Sequence, residues 1–218
     1  MLSDKRLSKA TKKVRDKWRA KEWYDVYAPA YFGEKKVASI PCSDPTRLIG
    51  RVVETTLYDI TNDFSHQSQK LYFLAVKVKG TRAETILKGH EYAADYLRSL
   101  VRRGSTRIDA IFNVTSRDQY VTRASVVAFT RDRVNANQQH LIRSIMRKTV
   151  EEKTETLAYD QLCHEMVLGI FGSEVYNLAK KISPLRHVGV RKSKLLVIPE
   201  GVVAKSAEIL AQPEAVEA

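Results

Sequence analysis

The chain has 218 residues, 44% hydrophobic and 28% charged, an ordinary globular balance with apolar material enough for a core that needs no staples. Lys and Arg number 37 against 25 Asp and Glu, leaving +12 at neutral pH, a self-repulsion best explained by a polyanionic partner. Two distant cysteines, Cys42 and Cys163, argue against a disulfide framework or a CxxC zinc site, and no apolar run approaches the ~18 residues of a membrane helix, so a cytoplasmic protein without cofactor or metal and without a membrane partner is expected.

The first 23 residues hold Lys5, Arg6, Lys9, Lys12, Lys13, Arg15, Lys17, Arg19 and Lys21 against Asp4, Asp16 and Glu22. That stretch carries +6, half the net charge. Its apolar residues, Leu2, Leu7, Val14 and Trp18, are too few and irregular for a core, so residues 1–21 are expected to be an arm, extended or loosely helical, that orders on a polyanion. Cations interleaved with Trp18 and Trp23 suit phosphate neutralisation combined with base stacking. For Trp23, packing against the fold is the stronger reading; for the cations, phosphate contact is stronger than a solvated face.

Residues 22–27 are aromatic and β-branched and stop at Pro29, a strand. Pro41, Ser43, Asp44, Pro45 and Gly50 mark a connection. Residues 51–60 alternate with Val53, Thr55 and Leu57 on one face, and alternation resumes with Tyr72, Leu74, Val76 and Val78 up to Gly80. These two strands, joined by a polar stretch, are expected to pair antiparallel. Residues 85–88 suggest a short strand. Tyr92, Ala93, Tyr96, Leu97, Leu100 and Val101 then define a helical face ending at Gly104, with Arg98, Arg102 and Arg103 in its last turns, where cations complement the helix dipole.

Ile108, Ala110, Phe112 and Val114 alternate on one strand, Val121 and residues 124–129 form the next, and Ser116 to Gln119 is a hairpin turn. A helix begins near Asn135, with Leu141, Ile142, Ile145 and Met146 apolar and Arg143, Arg147 and Lys148 polar. A second helix is expected near 157–168, broken by Gly169 and Gly172, and a third near 173–181 with Ser173 as N-cap and Pro184 as stop. Val188, Val190 and residues 195–198 read as a closing strand. From residue 200 onward, four glutamates face Lys205 alone, an acidic and flexible tail over 200–218. The whole is α+β: an antiparallel β-barrel with flanking α-helices in one domain over 22–199, with a basic N-terminal arm and a short acidic C-terminal tail.

No phosphate-loop, dinucleotide-binding, nucleophile-elbow or zinc-protease motif is present. Cys163 and His164 are adjacent on a helix and point in different directions, so buried packing outweighs metal or thiol chemistry. Asp59 and Asp63 are better read as turn formers than as metal ligands. The basic clusters carry more. Arg131 and Arg133 lie where a strand passes into a helix. Arg186, His187, Arg191, Lys192 and Lys194 crowd one strand whose Val188 and Val190 face inward, a segment that favours RNA contact. For Arg98, Arg102, Arg103 and Arg107, a solvated helix face explains the pattern as well as a ligand does. An RNA-processing or modifying enzyme, and an RNA-binding assembly factor or free mRNA-binding module, stand as alternative classes.

Taken together, several of these segments resemble the archaeal and eukaryotic small-subunit ribosomal proteins of the S-three-ae family (eS-one in unified naming). The resemblance is strongest at Lys21 to Pro29, which reads KEWYDVYAP and is followed by Phe32. Further blocks are Gly50 to Glu54 with Leu57, Asp59, Asn62 and Asp63; Phe129 to Arg131 with Gln139, Ile142, Arg143 and Met146; and Pro184, Leu185, Val188, Val190, Arg191, Lys192 and Lys194. A short connection between Phe32 and Gly50 and the acidic end after Leu196 are similar to archaeal-type members. The resemblance implies a non-catalytic barrel with flanking helices on the subunit platform near the messenger exit region. Its implied partners are small-subunit rRNA, neighbouring small-subunit ribosomal proteins and messenger RNA.

Overall fold

The computed structural model describes residues 18, 19 and 21–199. Eight strands and five α-helices follow one another within them: β1 (Glu22–Tyr27), β2 (Lys36–Cys42), β3 (Val52–Thr56), α1 (Leu57–Thr61), β4 (Gln69–Lys79), β5 (Arg82–Tyr92), α2 (Ala94–Leu100), β6 (Arg107–Thr115), β7 (Val121–Thr130), α3 (Ala136–Thr156), α4 (Tyr159–Leu168), α5 (Ile170–Ala179) and β8 (Leu185–Val197). The expected α+β order, strands first, then helices, then a returning strand, is present.

All eight strands belong to one sheet, and β5 is its spine. One edge of β5 pairs with β4 along its length, and β4 pairs in turn with β3. The other edge is shared: β1 runs parallel to it at Arg82 to Glu84, and β8 runs antiparallel at Gly89 to Glu91. From there the order continues β8, β7, β6, while β2 lies outside β1. No described register joins β6 to β2 or β3, so backbone pairing does not close the expected barrel, and the parallel β1–β5 contact makes the sheet mixed rather than wholly antiparallel.

Where β5 changes partner, its backbone needs other hydrogen bonds. The Leu87 N–H donates to the Tyr31 hydroxyl at 3.1 Å, its carbonyl accepts from the buried Tyr159 hydroxyl of α4, and Thr85 Oγ1 donates to the Tyr27 carbonyl at 2.7 Å. Side chains thus complete the fork.

The main core lies between the inner faces of β6, β7 and β8 and the three long helices. Ile108, Ala110, Phe112 and Val114 alternate inward as expected and meet Ile142, Met146 and Val150 of α3 with Phe171 and Val175 of α5. A neighbouring cluster places Tyr159, Cys163 and Val167 of α4 against Leu71, Phe73 and Leu87. Lys153 clamps the helices together: its ammonium reaches Glu165 at 3.0 Å and Glu174 at 2.6 Å and lies 5.0 Å from the Phe171 ring centre. On the opposite face, α2 lays Leu97 over Val127 and Phe129, so β7 is buried on both sides near its end.

Several boundaries differ from the sequence reading. Strand β2 was expected to be connection because of Pro41; it is tolerated because β2 is an edge strand. The strand expected over 51–60 ends at Thr56, where a reciprocal cap takes over: Thr56 N–H donates to Asp59 at 3.0 Å, and Asp59 N–H donates to Thr56 Oγ1 at 3.4 Å. On β4 the buried face is Leu71, Phe73 and Ala75, not Tyr72, Leu74 and Val76; an irregular register between Ala75 and Lys77 then turns Val78 inward. The short strand at 85–88 is the middle of an 11-residue one, and Tyr92 belongs to it. Gly172 lies inside α5, so Ser173 is not its N-cap. A β-carbon on Gly172 would stand 2.6 Å from the Val188 carbonyl, and this close approach, not a break, is the reason for glycine there.

Candidate nucleic-acid interface

The arginines named on separate segments meet at one end of the sheet, where β6 starts, β7 ends and β8 starts. Phe129 pairs with Arg107 on one side and His187 on the other. Thr106 and Thr130 exchange hydrogen bonds of 2.9–3.0 Å through backbone and hydroxyl groups. Arg131 N–H donates to the Pro184 carbonyl at 2.9 Å, and an Arg186 guanidinium N–H donates to the Leu100 carbonyl at 3.4 Å, drawing the end of α2 to the same place. Arg98, Arg102, Arg103, Arg131, Arg133 and Arg186 are all exposed there. Lys180 and Lys181, which sequence reasoning passed over as the end of a helix, stand just before Pro184 and add to the group. Arg98 has a long 3.9 Å contact with Asp95 and Arg107 pairs with Asp109 at 2.9 Å, whereas Arg102, Arg103, Arg131 and Arg133 pair with no acid among the described residues.

Arg143 and Arg147 extend this field along β6. Arg143 Nε donates to the Asp109 carbonyl at 3.2 Å, and Arg147 sits 3.3 Å from Glu151. Both are exposed beside Ile111, a 64% exposed aliphatic side chain on the outer face of β6.

Residues of β8 divide by position. His187 is half-buried against Tyr92 and Tyr96, and burial lowers its pKa, so it is not the outward-tracking side chain expected. Arg191, at an irregular step of the β7–β8 register, is also part-buried, and its Nε has no partner among the described residues. Lys192 pairs with Glu91 at 2.8 Å, and Lys194 is exposed opposite Arg123. Lys88, Lys192, Lys194 and Tyr72 line one shallow depression on the outer face. Lys88, Arg123 and Tyr72 were not named as RNA-contact candidates from sequence, Tyr72 being read as a strand residue on the alternating face; the β4 face shift has no composition signal.

The arm root lies elsewhere. Lys5, Arg6, Lys9, Lys12, Lys13, Arg15 and Lys17 lie outside the described residues, as do the arm's expected conformation and the acidic tail. Trp18 and Arg19 are exposed, and the Lys21 ammonium is 4.4 Å from the Trp18 ring centre. Trp23 is 59% exposed, so its expected packing against the fold is not what the structure has. On β1 the inward positions are Tyr24 and Val26, which leaves Trp23 outward opposite Pro41. Because β1 is parallel to β5 and meets it at Arg82, whereas β8 begins beyond Glu91, the arm root and the arginine end lie at opposite ends of the β5 spine. Nine residue steps from Arg82 to Glu91 at ~3.3 Å put about 30 Å between those two pairings.

The groups that might suggest catalysis have structural explanations. Cys163 is buried among apolar side chains, and burial pushes its thiol up to about 12, leaving little thiolate nucleophile at neutral pH. Asp59 belongs to the α1 cap, where hydrogen bonds from Thr56 lower its pKa, and Asp63 accepts from the Ser65 N–H at 3.0 Å. His90 is fully buried: its Nε2 donates to the Val190 carbonyl at 3.0 Å and its Nδ1 accepts from Ser193 Oγ at 2.7 Å, and desolvation lowers its pKa to about 4. Among the described residues no cluster of three metal-ligating side chains occurs.

Fold and charge together define an open mixed sheet backed by helices and studded with cations at separate places. The chain belongs to the Ribosomal S3Ae family, whose model matches residues 9–199. It is similar to proteins named small ribosomal subunit protein eS1. The one from Desulfurococcus amylolyticus is 45% identical over 94% of this chain and 96% of its own length; that from Staphylothermus marinus is 46% identical over 90% and 93%. The protein from Saccharolobus islandicus is 42% identical over 87% and 91%.

Proposed function

We propose that this protein is a structural constituent of an archaeal-type small ribosomal subunit in the cytoplasm, binding rRNA and neighbouring ribosomal proteins, with no reaction of its own. Near-full-length similarity to proteins of that name carries the reading. The physical support is the distribution of cations. An RNA backbone offers a dense row of phosphates, and exposed arginines on a rigid edge displace counterions on contact. The exposed set Arg98, Arg102, Arg103, Arg131, Arg133 and Arg186 forms one such contact, extended by Arg143 and Arg147. The basic stretch over 1–21, with Trp18 at its root, forms the second, while the acidic stretch over 200–218 stays off RNA. A place on the platform near the messenger exit region, with contact to messenger RNA, follows from the family resemblance.

Sedimentation of a cell extract through a sucrose gradient tests this reading. The protein is expected at one copy per mature small subunit after a high-salt wash. Its absence from mature subunits, with presence in precursor particles only, would establish an assembly factor instead.

A further inference from the structure

The registers of β4, β5, β8, β7 and β6 align two rows of residues straight across the outer face of the sheet. One row is Tyr72, Gly89, Lys194, Arg123 and Asn113; the next is Lys70, Glu91, Lys192, Ser125 and Ile111. Residues directly opposite on neighbouring strands share a face. Between the rows, His90, Ser193 and Ala124 are buried on the other side. Gly89 lets β5 and β8 close up, since a β-carbon there would strike the Ser193 carbonyl. Four strand-to-strand steps of ~4.8 Å make each row about 19 Å wide.

Charge on this face is not balanced. Lys70 reaches Glu54 at 2.7 Å and Lys192 reaches Glu91 at 2.8 Å, yet these lysine side chains remain 46% and 44% exposed. Lys88, Lys194 and Arg123 pair with no acid among the described residues. Arg123 and Lys194 stand directly opposite one another, and like charges so placed destabilise a sheet unless an anion joins them. Arg123 Nε donates to Asn113 Oδ1 at 3.0 Å, which holds the guanidinium over the outer face. Tyr72, the aromatic residue in these rows, is half-buried, so the face offers cationic heads rather than a stacking surface.

We infer that this face is a further RNA contact, which takes the sugar-phosphate backbone of a double-helical segment, with Lys88, Arg123 and Lys194 on phosphates and Lys70 and Lys192 beside them. Paired RNA is recognised chiefly by shape and by backbone contacts, which need spaced cations on a firm surface and no base pocket. A single strand calls for open rings on which bases stack, and the half-buried Tyr72 does not supply them. The location suits a long ligand. Lys88 is six residues along β5 from Arg82, and Lys192 is six along β8 from Arg186. Each separation is about 20 Å, which places the face between the arm root and the arginine end.

The inference rests on the proposed RNA binding, and the test separates the two. The full chain is titrated by fluorescence anisotropy over a salt series, with an RNA duplex of about 16 base pairs and with one of its strands alone. Lys88→Gln, Arg123→Gln and Lys194→Gln combined are expected to lower the salt slope for the duplex by about three and to weaken binding about tenfold or more at low salt. Lys194→Gln alone is expected to lower the slope by about one. A charge-matched control, Arg47→Gln with Lys79→Gln and Lys148→Gln, is expected to leave the slope unchanged, and circular dichroism confirms that all variants are folded. Duplex binding that the triple substitution leaves unaltered overturns the assignment while RNA binding stands. An equal fall in the control, which would show an effect of net charge alone, or a loss confined to the single strand, also overturns it. Loss of a neighbouring protein from subunits carrying the triple substitution, with duplex binding unchanged, would make the face a protein contact instead. Failure of the native chain to bind either RNA removes this inference together with the proposed RNA binding.

Discussion

Single side chains decide whether the sheet can fork. Leu87 stands where β5 has left β1 and not yet reached β8, and its two backbone groups are completed by the Tyr31 and Tyr159 hydroxyls. Tyr159→Phe retains the ring packing but leaves a buried carbonyl unpaired. It is expected to lower stability by about 1–3 kcal/mol in urea unfolding. His90 gives a pH dependence. Neutral in the fold with a pKa near 4 against an ordinary 6.5, it is protonated first in the unfolded chain. The stability tied to its neutral state is therefore complete above pH 6.5 and lost as pH falls toward 4, by about 3 kcal/mol in all. Unfolding free energy measured from pH 7 to 4 should fall more steeply for the native chain than for His90→Gln, and equal slopes would rule this out.

Among elements, the legible ones were those whose own residues carry the period. β6 could be read because Ile108, Ala110, Phe112 and Val114 face one core and nothing interrupts them. β1 was bounded by Pro29, and α3 by Asn135, whose N–H donates to Gln138 at 3.2 Å. Reading failed where tertiary context decides. β4 is apolar on both faces, so alternation alone does not choose between Leu71 and Tyr72. β5 mixes Arg82, Glu84, Lys88 and Glu91 with small residues, and only its three neighbours make it a strand. The arginine end was invisible as a site, since its members come from α2, β7, β8 and the turns beside them and meet through tertiary hydrogen bonds such as Arg131 to Pro184 and Arg186 to Leu100. The three helices make their own prediction. Lys153→Met keeps the stem but leaves Glu165 and Glu174 facing each other without the ammonium. A loss of about 2 kcal/mol is expected, read as a lower urea midpoint at unchanged m-value.

For the whole molecule, the two RNA-contact zones proposed above, rooted at Lys21 and at the arginine end, lie at opposite ends of β5. Contacts about 30 Å apart on a rigid sheet should act independently. Deleting residues 1–17 and substituting Arg102, Arg103 and Arg131 with alanine should each weaken RNA binding and flatten its salt dependence. The combined variant should show the product of the two effects. Fluorescence anisotropy over a salt series checks this; a combined loss no larger than either single loss would show that the two zones do not bind separately.

The position of β8 also bears on how the chain is made. This thirteen-residue strand, ending at Val197, is the last of the described strands, yet it lies between β5 and β7 and supplies Leu185, Val188, Val190 and Leu195 to the interior. A nascent chain therefore has the β6–β7 hairpin and the β3–β4–β5 ladder in hand with a vacant slot between them. Their open edges invite pairing with a stranger until the missing strand emerges. Acquisition of the native sheet is consequently a late event in synthesis, and a helper that shields those edges during elongation would raise the yield of assembled protein.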